Sequence, residues 1–81
     1  MQVRVQFYSH LRDLAGANEM SVDMPESATV SDLLEKIYAA KPALRPADKT
    51  ALVAAGVEFV ARTYRLNSGE EISVMPPVQG G

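Results

Sequence analysis

The residues whose types and spacing could do chemistry are the last six, Pro76-Pro77-Val78-Gln79-Gly80-Gly81. They follow an alternating run, Glu71-Ile72-Ser73-Val74-Met75, that reads as a strand. Each proline fixes φ and removes a backbone donor, so a sheet ladder ends at Met75 and the chain departs in an extended form. Six extended residues reach at most about 20 Å. Gly80 and Gly81 have no Cβ, so they can thread a slot too narrow for any side chain. The group delivered at the tip is the α-carboxylate of Gly81. A stiff stalk, a slim tip and one carboxylate describe an arm processed in another protein's active site. On this reading Gly81 reacts, while Pro76, Pro77, Val78, Gln79 and Gly80 thread the partner. The bland alternative is a frayed end, since chain termini are usually disordered unless tied down. The prolines, placed where a stalk needs them, favour the arm.

Few other residues compete for a reactive role. There is no cysteine, which excludes disulfides, a thiolate nucleophile and thiolate metal sites. His10 is the single histidine, and no carboxylates fall at metal-ligand spacing around it, so no metal site is expected. A net charge of −2 offers no basic face for nucleic acid. No apolar run approaches the roughly 18 residues that span a bilayer, and the N-terminus lacks the apolar block of a signal peptide. The expected compartment is therefore the cytoplasm. At 81 residues, with 47% hydrophobic and 22% charged residues, the chain has the composition of one folded domain. A domain of this size buries only about 60% of its extended surface, so its core must be simple and well filled.

The elements that must position the arm follow from periodicity. Val3, Val5 and Phe7 alternate with polar neighbours over residues 3–8, giving a half-buried strand. Leu11, Leu14 and Ala15 have helical spacing, and Gly16 stops that short turn. Met20 to Met24 alternates again before Pro25, making a wide hairpin with the first strand. Thr29-Val30-Ser31-Asp32 matches a capping box. After it, Val30, Leu33, Leu34, Ile37 and Ala40 form one apolar stripe of a helix that Pro42 ends. Residues 42–49 read as an irregular connection from which Leu44 plugs the core. Ala51 to Ala55 is nearly all apolar, which predicts a central strand at least partly buried on both sides. Gly56 permits a turn into the short strand Glu58-Phe59-Val60, and Leu66 to Glu70 is a turn in which Gly69 takes positive φ.

This order predicts an α+β domain over residues 1–81, a mixed four- to five-stranded sheet with one main helix on one face and residues 76–81 projecting as a tail. The first and last strands are expected as parallel neighbours in the middle. The expected core takes Val3, Val5, Phe7, Leu14, Val22, Val30, Leu33, Leu34, Ile37, Leu44, Leu52, Val53, Leu66, Ile72 and Val74. Alternation leaves Phe59 and Met75 surplus to it. Both are expected at a protein partner interface on the uncovered face, Met75 directly before the stalk. The competing use is as filler beneath the connection at residues 42–49.

The order of elements with a terminal Gly-Gly resembles the ubiquitin-like β-grasp family. Phe7-Tyr8-Ser9-His10-Leu11-Arg12-Asp13-Leu14-Ala15-Gly16, Leu66-Asn67-Ser68-Gly69-Glu70-Glu71-Ile72 and the Pro-Pro-Val-Gln-Gly-Gly ending are similar to the small subunits of molybdopterin synthase. The resemblance covers the whole chain, and its ending is the most specific part. One departure is Ala55-Gly56-Val57, where members often carry Asn-Gly. The resemblance implies a sulfur carrier in molybdenum cofactor biosynthesis. An adenylating enzyme would activate Gly81 with ATP, a sulfur donor would convert it to a thiocarboxylate, and the tail would insert into the large subunit of molybdopterin synthase. There sulfur would pass to a cyclic pyranopterin precursor. It implies no cofactor on this chain, with the catalytic groups on the partner. Activation of this kind also suits a carrier for thiazole, thiolated tRNA or cysteine, or a modifier joined to lysines. A plain interaction module would leave the Gly-Gly without a role.

Overall fold

The computed structural model describes residues 1–77. The first strand, β1 (Gln2–Phe7), buries Val3, Val5 and Phe7 and turns Gln2 and Arg4 outward, as its alternation requires. The short helix α1 (His10–Ala15) ends on Gly16, whose φ of 73° suits a residue without Cβ and whose N–H donates to the Arg12 carbonyl at 2.9 Å. Leu11 and Ala15 face the core, whereas Leu14 is 40% exposed. This corrects the expected core. Leu11 and Ala15 stack at i, i+4, and Leu14 lies about 100° around the axis from Ala15.

Strand β2 (Glu19–Asp23) pairs antiparallel with β1, Val3 opposite Val22 and Val5 opposite Met20. Helix α2 (Val30–Ala40) begins with both bonds of the capping box, from Asp32 N to Thr29 Oγ1 at 3.3 Å and from Thr29 N to Asp32 Oδ2 at 3.0 Å. Two further first-turn amides, of Val30 and Ser31, donate to the carbonyls of Tyr64 and Arg62 at 2.9 Å. The buried stripe is Val30, Leu33, Leu34, Ile37 and Tyr38. Ala40, expected in it, is exposed. The stripe closes at i+8 on Tyr38, because the next core contact comes from a 3-10 helix at Pro42–Ala47. That helix replaces the expected irregular connection, and Leu44 on it is buried as expected.

Strands β3 (Leu52–Ala55), β4 (Glu58–Phe59) and β5 (Glu71–Met75) complete a five-stranded sheet in the order β2-β1-β5-β3-β4. β1 and β5 are parallel neighbours, as expected, and all other pairs are antiparallel. β5 is the central strand and β3 is next to the edge, so the expected central position of β3 is corrected. Val53 and Ala54 are nevertheless buried on opposite faces. Gly56 and Gly69 take φ of 61° and 78° in the turns expected of them. The helices and one face of the sheet enclose a single apolar cluster that includes Val5, Phe7, Leu33, Ile37, Ile72 and Val74. The architecture is the ubiquitin-like β-grasp fold expected, a mixed sheet with one main helix, α2, on one face.

A polar staple ties the covered side together. Arg62 donates to Asp48 Oδ1 at 2.8 Å and to the carbonyls of Asp48 and Ala51 at 2.8 and 3.0 Å. The Tyr38 hydroxyl donates to the same Asp48 oxygen, and the Arg45 guanidinium lies 5.2 Å over the Tyr38 ring. This joins α2, the 3-10 helix and the connector into β5. No helix among the described residues is long and apolar enough to cross a membrane.

Candidate functional site: the open sheet face and the root of the tail

Residues directly opposite one another on paired strands share a face. The register therefore lays out the uncovered side of the sheet in rows. Nearest the tail, Leu52 of β3 is opposite Met75 of β5. Tyr8 joins this row from β1, because its amide donates to the Val74 carbonyl at 3.1 Å and so prolongs the parallel ladder past Phe7. The next row crosses all five strands as Glu19, Gln6, Ser73, Ala54 and Phe59. The third holds Ser21, Arg4 and Glu71.

The face changes character along its length. Toward the tail and β4 it is apolar. Phe59 is 63% exposed, Tyr8 is 45% exposed, Met75 and Leu52 are half-buried, and Val57 in the β3–β4 turn is fully exposed. Toward β2 it is charged. Arg4 Nη2 meets Glu19 Oε1 at 2.9 Å, and the Gln6 amide donates to Glu19 Oε1 and to Glu71 Oε2, both at 3.1 Å. The hydrogen bond from Arg4 to Glu19, then the nearby charges of Glu19 and Glu71, raise the Arg4 pKa and hold the guanidinium charged. The two carboxylates thus share the neutral Gln6 amide, and only Glu19 is also paired with the guanidinium.

Phe59 and Met75 fall on this face together, as expected, and away from the 3-10 helix, which overturns their alternative use as filler beneath it. Leu52 was assigned to the core and is corrected. Its partner is Met75, so it faces outward with Met75 and completes the apolar row. Sequence reasoning also missed Tyr8 and the Arg4–Glu19–Gln6–Glu71 ladder. Alternation of Arg4 and Gln6 with the buried valines was the available signal for the first strand. The partner in β5, Glu71, is 65 residues away from Gln6 and carries no local signal.

Pro76 and Pro77 are half-buried where the chain leaves the sheet. The strand stops at Met75, as two residues without N–H donors require. β5 is bonded to β1 on one side and β3 on the other, so the root of the tail is held from both sides. Val78, Gln79, Gly80 and Gly81, assigned to threading and reaction, lie outside the described residues. His10, set aside in the sequence, is exposed at the start of α1.

Known proteins resemble this chain in sequence and in fold. A molybdopterin synthase sulfur carrier subunit of Chlamydomonas reinhardtii is 36% identical, the alignment covering 100% of both chains. A candidate molybdopterin converting factor subunit 1 from Pyrococcus furiosus superposes with a TM-score of 0.88 at 28% identity, covering 96% of this chain and 99% of that one. Small archaeal modifier protein 1 of Haloferax volcanii superposes with a TM-score of 0.84 at 25% identity, covering 95% and 98%. Residues 5–81, the Gly-Gly ending included, match the profile of the ThiS family, and the chain belongs to that family.

Proposed function

We propose that this chain is the sulfur carrier subunit of a molybdopterin synthase. The observation that carries the reading is the Pro-Pro-Val-Gln-Gly-Gly segment issuing from the central strand, in a chain aligned end to end with a relative of that name. The Gly81 carboxylate is a poor acyl donor. An adenylating enzyme joins one carboxylate oxygen to the α-phosphorus of ATP and releases pyrophosphate. Sulfide from a donor then attacks the acyl carbon, the bond to AMP breaks, and Gly81 is left as a thiocarboxylate. The charged tail enters the large subunit, whose groups direct the sulfur onto a cyclic pyranopterin precursor as the dithiolene forms. This chain binds no cofactor of its own in the scheme. It supplies the reactive terminus, the stalk of Pro76 and Pro77, and the docking face around Phe59 and Met75.

Intact mass after co-expression with an adenylating enzyme and a sulfur donor tests the reading. One oxygen-for-sulfur exchange at Gly81 is expected, and a mass left unchanged in the presence of both proteins would refute it. Gly81→Ala, or one residue added after Gly81, should abolish sulfur transfer while stability shifts by less than about 0.5 kcal/mol, since the last strand already ends at Met75. The likeness to the archaeal modifier protein favours a second reading, attachment of Gly81 to lysines. Isopeptide-linked adducts in cells would establish it.

A further inference from the structure

We infer that the open sheet face is a keyed docking surface, and that the partner presents a basic side chain to the Glu19–Gln6–Glu71 ladder while its apolar ridge covers Tyr8, Leu52, Met75 and Phe59. This rests on the proposed large-subunit partner and adds the chemistry that orients it.

The dimensions force the ladder into the contact. Met75 and Glu71 are four residues apart on one strand, about 13 Å, and β2 lies four strand spacings from β4, about 19 Å. A standard interface buries about 800 Å² on each partner, a patch close to 30 Å across. A contact of that size anchored on Met75 and Phe59 therefore reaches Glu71 and Glu19. Covering them carries a penalty. Among the described residues Arg4 pairs with Glu19, while Glu71 accepts only from the neutral amide of Gln6. The ladder keeps one net negative charge, and a carboxylate taken from water without a compensating cation is strongly disfavoured. A lysine or arginine opposite Glu71 removes that penalty.

The same charge rejects the wrong pose. A partner turned by half a rotation about the sheet normal would set its basic group over Met75 and Leu52 and its apolar ridge over the carboxylates. Only one orientation avoids both mismatches, and it fixes the direction in which the chain leaves Met75, from where six residues can span at most about 20 Å. The ladder acts as a positioning device for Gly81 without touching the reacting atoms.

The test is titration of the large subunit from the same organism at low and high salt, with wild type, the double variant Glu19→Gln/Glu71→Gln, and Phe59→Ala. Wild-type affinity should fall with salt. The double variant should bind about five- to tenfold more weakly at low salt and lose most of its salt dependence. Phe59→Ala should bind more weakly at both salt levels and keep the wild-type salt dependence. A double variant that folds normally, yet keeps wild-type affinity and salt response, would overturn the inference while leaving the partner assignment intact. Absence of any binding by wild type would instead overturn the partner reading on which it rests. Glu71→Lys keeps the test sharp, since a like charge facing the partner's cation should weaken binding further at low salt than at high salt.

Discussion

The two faces of the sheet use similar residue types to opposite ends. On the covered face, Asp48, Arg62 and Tyr38 form a closed set. The aspartate takes the tyrosine hydroxyl and the guanidinium, and the remaining guanidinium bonds go to two backbone carbonyls. On the open face, Glu19, Glu71, Arg4 and Gln6 form a ladder with more negative charge than it neutralises. The apolar residues divide likewise. Ile72 is completely buried against the helix side, while Phe59 on the open side is mostly exposed. A group whose bonds are all made internally holds the domain together. A group with charge or apolar surface left over is available to something else.

The largest effect expected from breaking this contrast is at Ile72. Ile72→Ala should cost about 2–5 kcal/mol of stability, because the side chain is completely buried and its truncation leaves a cavity in the core. Chemical denaturation measures it, and a loss under 1 kcal/mol would show that the central strand is not the core's keystone. On the open face the sign of the comparison should reverse. Phe59→Asp or Met75→Asp should weaken binding to the large subunit by about 2 kcal/mol or more and leave thermal stability nearly unchanged. Calorimetric titration beside a melting curve decides it, and normal binding by both variants would remove these residues from the interface.

Within the staple, Arg62→Ala should destabilise by about 1–2 kcal/mol, since half-exposed Asp48 and two carbonyls lose their donors but regain some water. Its pH dependence follows from the Asp48–Tyr38 pair. The Tyr38 hydroxyl bond, assisted by Arg62 and opposed by partial burial, holds the Asp48 carboxyl below its ordinary 3.8. A depressed value in the folded state means stability that is present above pH 3.8 and is lost as pH falls toward and through the folded value. Burial first, and then the bond to Asp48, pushes the Tyr38 phenol above its ordinary 10.0. Its contribution is present below pH 10.0 and is lost as pH rises through the folded value. Tyr38→Phe should flatten both limbs of a stability–pH curve, and limbs unchanged from wild type would separate the pair from pH stability.

An effect of similar modest size, on binding alone, is expected at the stalk. Replacing Pro76 and Pro77 with glycine should leave the melting temperature unchanged, because the ladder already stops at Met75. Productive association should weaken by about 1–2 kcal/mol, the entropy of ordering two freer residues. Unchanged affinity at unchanged stability would reduce the prolines to strand terminators.

The sequence by itself determined what depends on near neighbours in the chain. The capping box at Thr29 and Asp32, the alternation of Val3, Val5 and Phe7, the turns at Gly56 and Gly69 and the strand stop at Met75 all rest on interactions within a few residues. Each appears in the structure where periodicity put it. The exit of the chain from the sheet at Pro76 and Pro77 was legible for the same reason, since proline acts on its own backbone, whereas Gly80 and Gly81 lie outside the described residues. Tertiary structure alone decided which apolar residues are spare and which polar residues meet. Leu14 turned outward because α1 offers the core only an i, i+4 pair, and Leu52 because its partner across the strands is Met75. Tyr38 reaches Asp48 across 10 residues, Arg62 reaches it across 14, and Gln6 reaches Glu71 across 65. Such pairs follow from strand order and register, which the packing of the whole chain selects and which no local pattern encodes.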